Sequence, residues 1–434
     1  MKKNIVLCIF LLFYTNAYGQ SGWIGQYSNT NSDLYSVQFI NSSSGYCSGS
    51  NGMILKTING GSNWTEQYSG FNHTLRSLYF TFYNTGYIAG DSGLLIKTTN
   101  GGNNWFRINI GSTNNFTSVN FVNDSTGYTG GSYYFISDNE LTEGTERNHY
   151  YKTTDYGNSW DSIEIINAFW VSYVYFCSPE FGWSINIPGV IGGSNLYKTT
   201  DSGQSWNSSF FTSRGIYSIF FIDTLYGWVS SVFQLGVYST IRTTNGGLNW
   251  SSVFPGTGVL INSLYFTNRN KGWGAGDNSI IQATTDGGVN WFSQIIAQQG
   301  INYNSVYFID SLTGWVTGDN GTILKTTTGG VLTGITNTST EIPDIFILLQ
   351  NYPNPFNPVT NLGFGISSAA GGLGFVSLRV YDIKGKEVVT LVNENKQPGY
   401  YNVQFDGSKL SSGVYFYRLE TKGFVQTKRM MLIK

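Results

Sequence analysis

Six times along the chain a nine-residue phrase led by a basic residue, or once by alanine, ends in tryptophan. The copies are Lys56–Trp64, Lys97–Trp105, Lys152–Trp160, Lys198–Trp206, Arg242–Trp250 and Ala283–Trp291. A seventh, Lys325–Gly330, stops before its Trp. A phrase that returns at such an interval marks a repeat architecture, in which each unit buries its apolar face only against its neighbours. This constrains the fold more than composition does.

In Lys198-Thr-Thr-Asp-Ser-Gly-Gln-Ser-Trp206 the Thr-rich lead-in suits a strand. Asp201, or Asn in other copies, is placed to accept backbone N–H groups just ahead of it. Gly203 can take positive φ, and Trp206 should open a returning strand with a large apolar surface to bury. The expected product is a β-hairpin whose tip is tied by a side chain.

Each unit begins with an alternating strand such as Leu34–Phe39, Leu75–Phe80 or Ile216–Phe221. A second strand opens on Gly plus an aromatic: Gly45-Tyr46, Gly86-Tyr87, Gly127-Tyr128, Gly182-Trp183, Gly227-Trp228, Gly272-Trp273 and Gly314-Trp315. A third strand leads into the repeated phrase, and the Trp leads into the fourth. Four antiparallel strands per unit describe a propeller blade. Trp23-Ile-Gly-Gln-Tyr27 parallels Trp64-Thr-Glu-Gln-Tyr68. The amino-terminal strand is therefore expected to complete blade seven, whose own Trp is missing, and so to remove the free edge of the ring. The repeat positions that should carry this packing are Trp23, Trp64, Trp105, Trp160, Trp206, Trp250 and Trp291.

The Thr-x-Asp/Asn-x-Gly-x-x-Trp spacing resembles the Asp-box, or BNR repeat, of sialidase-like and sortilin-like propellers. Seven units with these Gly-Trp and Thr-Thr-Asn-Gly-Gly phrases resemble the photosystem II assembly and stability factor-like seven-bladed propellers over about residues 22–330. That resemblance implies the fold. It also implies a basic, Arg-bearing face, yet Arg76, Arg107, Arg147, Arg214, Arg242 and Arg269 are scattered through the repeats and do not map onto one patch. The fold is carried over and the photosynthetic role is not.

The amino terminus carries Lys2 and Lys3, an apolar run Ile5–Phe13 and then Ala17-Tyr18-Gly19. Residues 1–19 read as a secretory signal peptide cut after Gly19. No later segment has the roughly 20 apolar residues that a membrane-spanning helix needs. Net charge is −1 and only 11% of residues are charged, with no basic stripe, which argues against a nucleic-acid partner. Cys8 leaves with the signal. Cys47 and Cys177 lie in non-adjacent repeats and are expected to be buried, inert thiols rather than a disulfide.

Residues 20–330 thus form the expected propeller, 331–345 a flexible linker rich in Thr, Ser, Asn and Gly, and 346–434 a second domain. The last contains Asn351-Tyr-Pro-Asn-Pro-Phe-Asn-Pro358 and alternating strands with Gly turns, which indicate a small β-sandwich. Its Pro-rich opening, its Tyr381-Asp-Ile-Lys-Gly385 turn, its Ser412-Gly-Val-Tyr-Phe-Tyr417 strand and its basic-then-apolar end resemble the type A C-terminal sorting domain of the type IX secretion system. The resemblance implies an address read by an outer-membrane translocon and often removed or exchanged for a surface anchor. The fold class expected is all-β, a seven-bladed β-propeller followed by a small C-terminal β-sandwich, secreted or held at the cell surface outside the outer membrane.

No catalytic constellation emerges. Phe106-Arg-Ile-Asn109 approaches the sialidase phrase but lacks its Pro and falls on an outer strand. Asp155, Asp201 and Asp286 belong to the repeated turns, and Asp124, Asp223 and Asp310 to the turn before strand two. Asp138, Glu140, Glu143 and Glu146 in the third-blade insertion are the exceptions, and would serve a hydrolase needing two carboxylates. His73 and His149 have no companion ligand at metal-site spacing. No cofactor is called for, and catalytic, cofactor and metal sites are each read as none.

From the Gly of strand two to the basic position of strand three is 11 residues in units one, two, six and seven. It is 25, 16 and 15 in units three, four and five. These longer connections share one face and bring Tyr133, Tyr134, Phe135, Glu143, Arg147, His149 and Phe233, with Ile187, Val190 and Leu235, to a raised sector. Aromatic and mixed polar groups on loops suit recognition of a protein or glycan. The reading is a non-enzymatic binding propeller whose residues 346–434 engage the type IX translocon. The alternative is a secreted glycan-cleaving hydrolase on a sialidase-like propeller.

Overall fold

The computed structural model describes residues 22–131, 148–165, 170–187, 193–213, 215–232, 238–252, 259–294, 296, 300–330, 336–339, 345–367 and 374–434. Two compact units emerge, Gly22–Val331 and one containing Leu332–Lys434. Among the described residues neither contains an α-helix.

The first unit holds seven four-stranded antiparallel sheets. Blade one runs Leu34–Phe39, Gly45–Gly49, Ile54–Thr57 and Thr65–Glu66, each strand pairing with the next. Blades two to six repeat this order. Blade seven takes Tyr303–Phe308, Gly314–Gly318 and Ile323–Thr326 from the end of the repeats, and its fourth strand is Ile24–Gln26. The pairing is antiparallel with Ile24 opposite Lys325 and Gln26 opposite Ile323, so the amino-terminal clasp is present.

One aromatic arrangement recurs between all neighbouring blades. The aromatic after the strand-two Gly stacks on the Phe that ends the first strand of the next blade. Centroid distances are 3.9 Å for Tyr46–Phe80, 3.6 Å for Trp228–Phe266 and 3.4 Å for Trp315–Phe39, the last joining blade seven to blade one. The Trp of the repeated phrase meets the same Phe edge-on, at 5.8 Å for Phe39–Trp64. Trp23 does this for Phe308 at the same 5.8 Å, so it replaces the Trp that blade seven lacks. Each such pair contributes about 0.5–1.5 kcal/mol beyond simple burial. The Phe also explains the invariant Gly of its own blade. A Cβ on Gly45 would lie 2.6 Å from the Phe39 ring, and one on Gly314 would lie 2.5 Å from Phe308.

Nearer the axis, first strands are linked by serine. Ser36 Oγ accepts the Leu78 N–H (3.2 Å), Ser263 Oγ that of Val306 (3.1 Å) and Ser305 Oγ that of Val37 (3.3 Å). Blade four has Tyr173 at this position. The Trp side chains precede the fourth strands rather than opening them: Trp64 ends the turn and the strand begins at Thr65. Cys47 and Cys177 are free thiols. Cys47 is fully buried, whereas Cys177 is half-buried at the end of a strand and not in the core. Burial still raises both, Cys177 to about 12, which keeps them protonated and unreactive.

The second unit contains two four-stranded sheets. One has Thr336–Ser339, Gly399–Asp406, Val359–Ile366 and Ile347–Leu348 in spatial order; the other has Glu387–Lys396, Gly374–Tyr381, Gly413–Thr421 and Phe424–Leu432. Leu362, Phe364 and Val403 from the first share a core with Leu378, Tyr417 and Met430 from the second. The sheets therefore pack face to face. Thr336–Ser339 corrects the linker expectation for 331–345, because its backbone pairs with Tyr400–Asn402. Four residues of alternating Thr, Asn and Ser can serve an edge strand, where only one side needs partners.

The Pro-rich segment closes the edge beside the final strand. Phe356 N–H donates to Met431 O and Ile433 N–H to Phe356 O, both at 2.9 Å, and Met431 N–H donates to Asn354 Oδ1 at 2.8 Å. Phe356 itself is buried in the core. Asn351, also buried, donates its backbone N–H to Tyr417 Oη (2.7 Å) and its Nδ2 to Pro353 O and Thr360 Oγ1. The prolines thus sit where an exposed strand edge would otherwise invite pairing.

Candidate functional site

The two faces of the ring are built differently. On one lie the repeated turns. In blade four the Thr199 hydroxyl donates to Asp201 Oδ1 (2.7 Å) and accepts the Gly203 N–H (2.9 Å), while Asp201 Oδ1 accepts the Ser205 N–H (2.9 Å). The Thr role was not foreseen from the spacing, although its invariance is visible there. Gly203 has φ of 88°, as expected for the tight bend. Asn59 reproduces the pattern, accepting from Thr57 Oγ1 (3.0 Å) and the Asn63 N–H (2.9 Å). Hydrogen bonds from Ser205 and Thr199 hold the Asp201 carboxyl at about 2, and those from Ser159 and Thr153 do the same for Asp155.

The same turns are stapled to the preceding blade. Lys56 Nζ donates to Gly101 O (2.7 Å), Lys198 Nζ to Gly246 O (2.6 Å) and Lys325 Nζ to Gly60 O (2.7 Å). The strand-two aromatic adds a second donor to the same carbonyl, Tyr46 Oη to Gly101 O (3.0 Å) and Trp315 Nε1 to Gly60 O (3.4 Å). Burial lowers the pKa of Lys198 and Lys325. Turn carbonyls and basic heads are consumed by one another, so this face is scaffold. Asp223 and Asp310 belong to it: burial opposes their ionisation, but the N–H groups of residues two and three ahead hold both below the usual range. In blade three that role falls to Asn123, not Asp124.

The opposite face carries the turns between strands two and three. In blades one, two, six and seven these are short. Each is bonded to the chain entering the next blade, as in Gly52 N–H to His73 O (2.9 Å) and Gly321 N–H to Ser32 O (2.9 Å). The second strand there ends in Gly because the chain entering its own blade crosses it. A Cβ on Gly49 would sit 2.1 Å from Asp33 O and one on Gly276 1.8 Å from Leu260 O. Blades four and five carry Asn186 and Ser231 instead, both buried. The crossing is therefore made differently in blades four and five, while blade three keeps Gly131, whose Cβ would sit 2.1 Å from Asn115 O.

On the first strands, the half-buried positions between the packed ones turn to the axis. Burial raises the pKa of Tyr79, Tyr175, Tyr265 and Tyr307, from blades two, four, six and seven; Tyr307 raises Tyr79 and Tyr265 further and Tyr79 raises Tyr175, while a hydrogen bond with Tyr265 lowers Tyr307. Tyr265 and Tyr307 ring centroids are 4.9 Å apart, and Phe220 lies 5.2 Å from Tyr265. Toward the short-turn face stand Tyr35, Arg76, Tyr217, Asn262 and Asn304. Arg76 is paired with Asp91, Asn262 Nδ2 donates to Asp277 Oδ1 (2.8 Å) and Asn304 Nδ2 to Asp319 Oδ1 (3.0 Å). Only the strand alternation pointed to these residues, and it does not say which side is the axis.

His149 opens the third strand of blade three opposite Glu164. Tyr133, Tyr134, Phe135, Glu143, Arg147 and Phe233, like Asp138, Glu140, Glu146, Val190 and Leu235, lie outside the described residues; Ile187 ends a strand of blade four. Arg269 pairs with Asp223 (2.8 Å) over the Tyr226 ring, and Arg242 reaches the Gly287 carbonyl (3.3 Å). With Arg76 bound to Asp91, these three arginines are each engaged separately. Phe106–Ile108 is an outer strand with an exposed Phe106, as its place after the Trp indicated. Among the described residues no group of His, Cys, Asp or Glu is arranged to hold a metal ion, and no helix is long and apolar enough to cross a membrane.

Sheets that fan around an axis, stapled on one face and free to vary on the other, define a β-propeller carrying a separate β-rich tail. Residues 15–163 and 243–344, more than half of the chain, match the model of the photosynthesis system II assembly factor YCF48, and the chain belongs to that family. Residues 350–434 match the secretion system C-terminal sorting domain. The protein is therefore exported through the type IX system to the cell surface or beyond. The family match leaves out 164–242, which spans blade four and most of blade five.

Solved structures similar to the chain include YCF48 bound to D1 peptide, at 17% identity over 71% of this chain and 97% of that one, with a TM-score of 0.57. YCF48 from Cyanidioschyzon merolae aligns at 20% identity over 70% and 98%, with a TM-score of 0.56. The WD40 β-propeller domain of Doa1 gives 12%, 71%, 96% and 0.53. At these identities the likeness is one of fold. No curated protein matches the sequence significantly.

Proposed function

We propose that the protein is a non-enzymatic binding propeller that recognises a protein segment or glycan outside the cell on the face of the second-to-third-strand turns. The contrast between the faces carries this reading. Turn carbonyls and lysines of the box face are bonded to each other, while the opposite face presents Tyr35, Arg76, Tyr217, Asn262 and Asn304 around the axis. Blades three to five add their longer connections there, those of blades four and five within the stretch that the family model leaves out. That one solved relative holds a peptide supports a recognition role for the scaffold. Residues 346–434 are proposed to engage the translocon as a unit.

The test is a glycan and peptide array probed with the full mature chain, run beside hydrolase assays. Binding without turnover is the expected result. Turnover abolished by Glu143→Gln or Glu146→Gln would overturn it in favour of a hydrolase. For the tail, residues 346–434 fused to an inert reporter should carry it outside a bacterium with the type IX machinery; retention in the periplasm would refute the address.

A further inference from the structure

Beside the clasp strand the ring has a cleft of about 440 Å³ between residues 25–31 and the turn 320–323. Its size lies within the range of small-molecule sites, about 300–1,000 Å³. Its chemistry is unusual for one. The walls present Gln26, Tyr27, Asn29, Asn31, Asn320 and Thr322, with no charged side chain. The Asp33 carboxylate accepts the Asn320 N–H at 2.9 Å. The side chains of Asn29, Asn31 and Asn320 make no hydrogen bond to another described residue. Tyr27 is 78% exposed.

Comparison with blade one shows what differs at the clasp. Ser28-Asn29-Thr30 corresponds to Ser69-Gly70-Phe71. The equivalence is structural: the Thr30 N–H bonds Ser28 Oγ as the Phe71 N–H bonds Ser69 Oγ. Phe71 packs its ring against the core of its blade, whereas the shorter Thr30 lines the cleft. Gly70 has φ of 82°, a conformation that favours Gly, yet Asn29 occupies the same region at 61°. The clasp thus places an amide on a backbone that the neighbouring blade leaves to Gly.

We infer that this cleft binds an uncharged saccharide, deepening the proposed recognition role by naming one ligand class and one site. Amide groups donate and accept at once, which matches vicinal hydroxyls. An exposed phenol offers a flat apolar face to the C–H side of a sugar ring and a polar tip to its hydroxyls. No Asp, Glu, Lys or Arg side chain lines the cleft to pair with a charged ligand.

The probes are soluble neutral oligosaccharides of glucose, mannose and N-acetylglucosamine, followed by saturation-transfer NMR and calorimetry on the full mature chain. Binding is expected for at least one of them. Tyr27→Ala should weaken it about tenfold, equivalent to roughly 1.4 kcal/mol. Asn29→Gly should weaken it severalfold with no fall in melting temperature, since Gly suits that backbone. Tyr68→Ala, in blade one, should leave it unchanged. Binding that ignores both clasp variants would overturn this site while leaving the wider recognition reading standing. Failure of every neutral sugar, with a peptide bound on the array, would likewise reject the saccharide and keep the propeller as a protein binder.

Discussion

The box face and the face opposite it are made by the same seven repeats, yet they differ in what the sequence is allowed to change. On the box face a Thr hydroxyl, an Asp or Asn oxygen and a positive-φ Gly recur because each answers a local need of one bend. A lysine and an aromatic then tie that bend to the previous blade. On the other face the short turns need only Gly at the crossing, and where the crossing changes, so do the residues. The contrast teaches that repetition marks the positions holding the ring, and departures mark those available for partners.

The clasp is where the two roles meet, and it should give the largest effect. Removing Gly22–Ser28, or changing Trp23→Ala, strips the buried Trp from blade seven and reopens the sheet edge. A loss of about 3–5 kcal/mol is expected for Trp23→Ala, read from denaturant or thermal unfolding. An unchanged melting curve would show that the ring holds without its clasp. Next, Gly314→Ala drives a Cβ into Phe308 and should destabilise by about 1–3 kcal/mol, whereas Gly25→Ala, facing open space, should be neutral. Equal effects would dissolve the distinction between glycines packed under a ring and glycines facing open space.

Smaller still is Lys325→Met. It removes a charge-assisted bond to Gly60 O at the seam, where Trp315 Nε1 remains as a donor, so about 1–2 kcal/mol is expected. Asp201→Asn should barely alter stability at neutral pH, because Asn59 already forms the same bend. Its signature lies in acid. The folded carboxyl sits at about 2, below its unfolded value near 4, so its stabilisation is complete above pH 4 and disappears as pH falls toward 2. Unfolding measured from pH 5 to pH 2 should be less pH-dependent in Asp201→Asn than in the parent, and an identical profile would count against the assignment.

Much of the architecture was legible in the chain. Thr-x-Asp-x-Gly-x-x-Trp identified the hairpin, Gly plus aromatic identified the second strand, and Trp23 announced the clasp. These succeed because a turn or a strand face is set by residues close in sequence. The linker reading failed over Thr336–Ser339, since pairing with Tyr400–Asn402 lies more than sixty residues away and leaves no local pattern. The recognition residues assigned to the longer connections fall mostly outside the described stretch, with His149 the one seen on a strand. Tyr35, Asn262 and Asn304 escaped notice, and Arg76 was seen only as one of several scattered arginines, because a two-residue period marks two sides of a strand and cannot say which one faces the axis.

By itself, then, the sequence determined the repeat, the tied bends, the export address and the need for an outer strand from the amino terminus. All of these rest on short-range geometry or on motifs read in order. Only the tertiary structure decided that Lys and aromatic converge on one carbonyl of the next blade, that four phenols meet across the axis, and that an amide-lined cleft lies beside the clasp. Those depend on distances between residues brought together by closing the ring, and no local pattern encodes a distance across it.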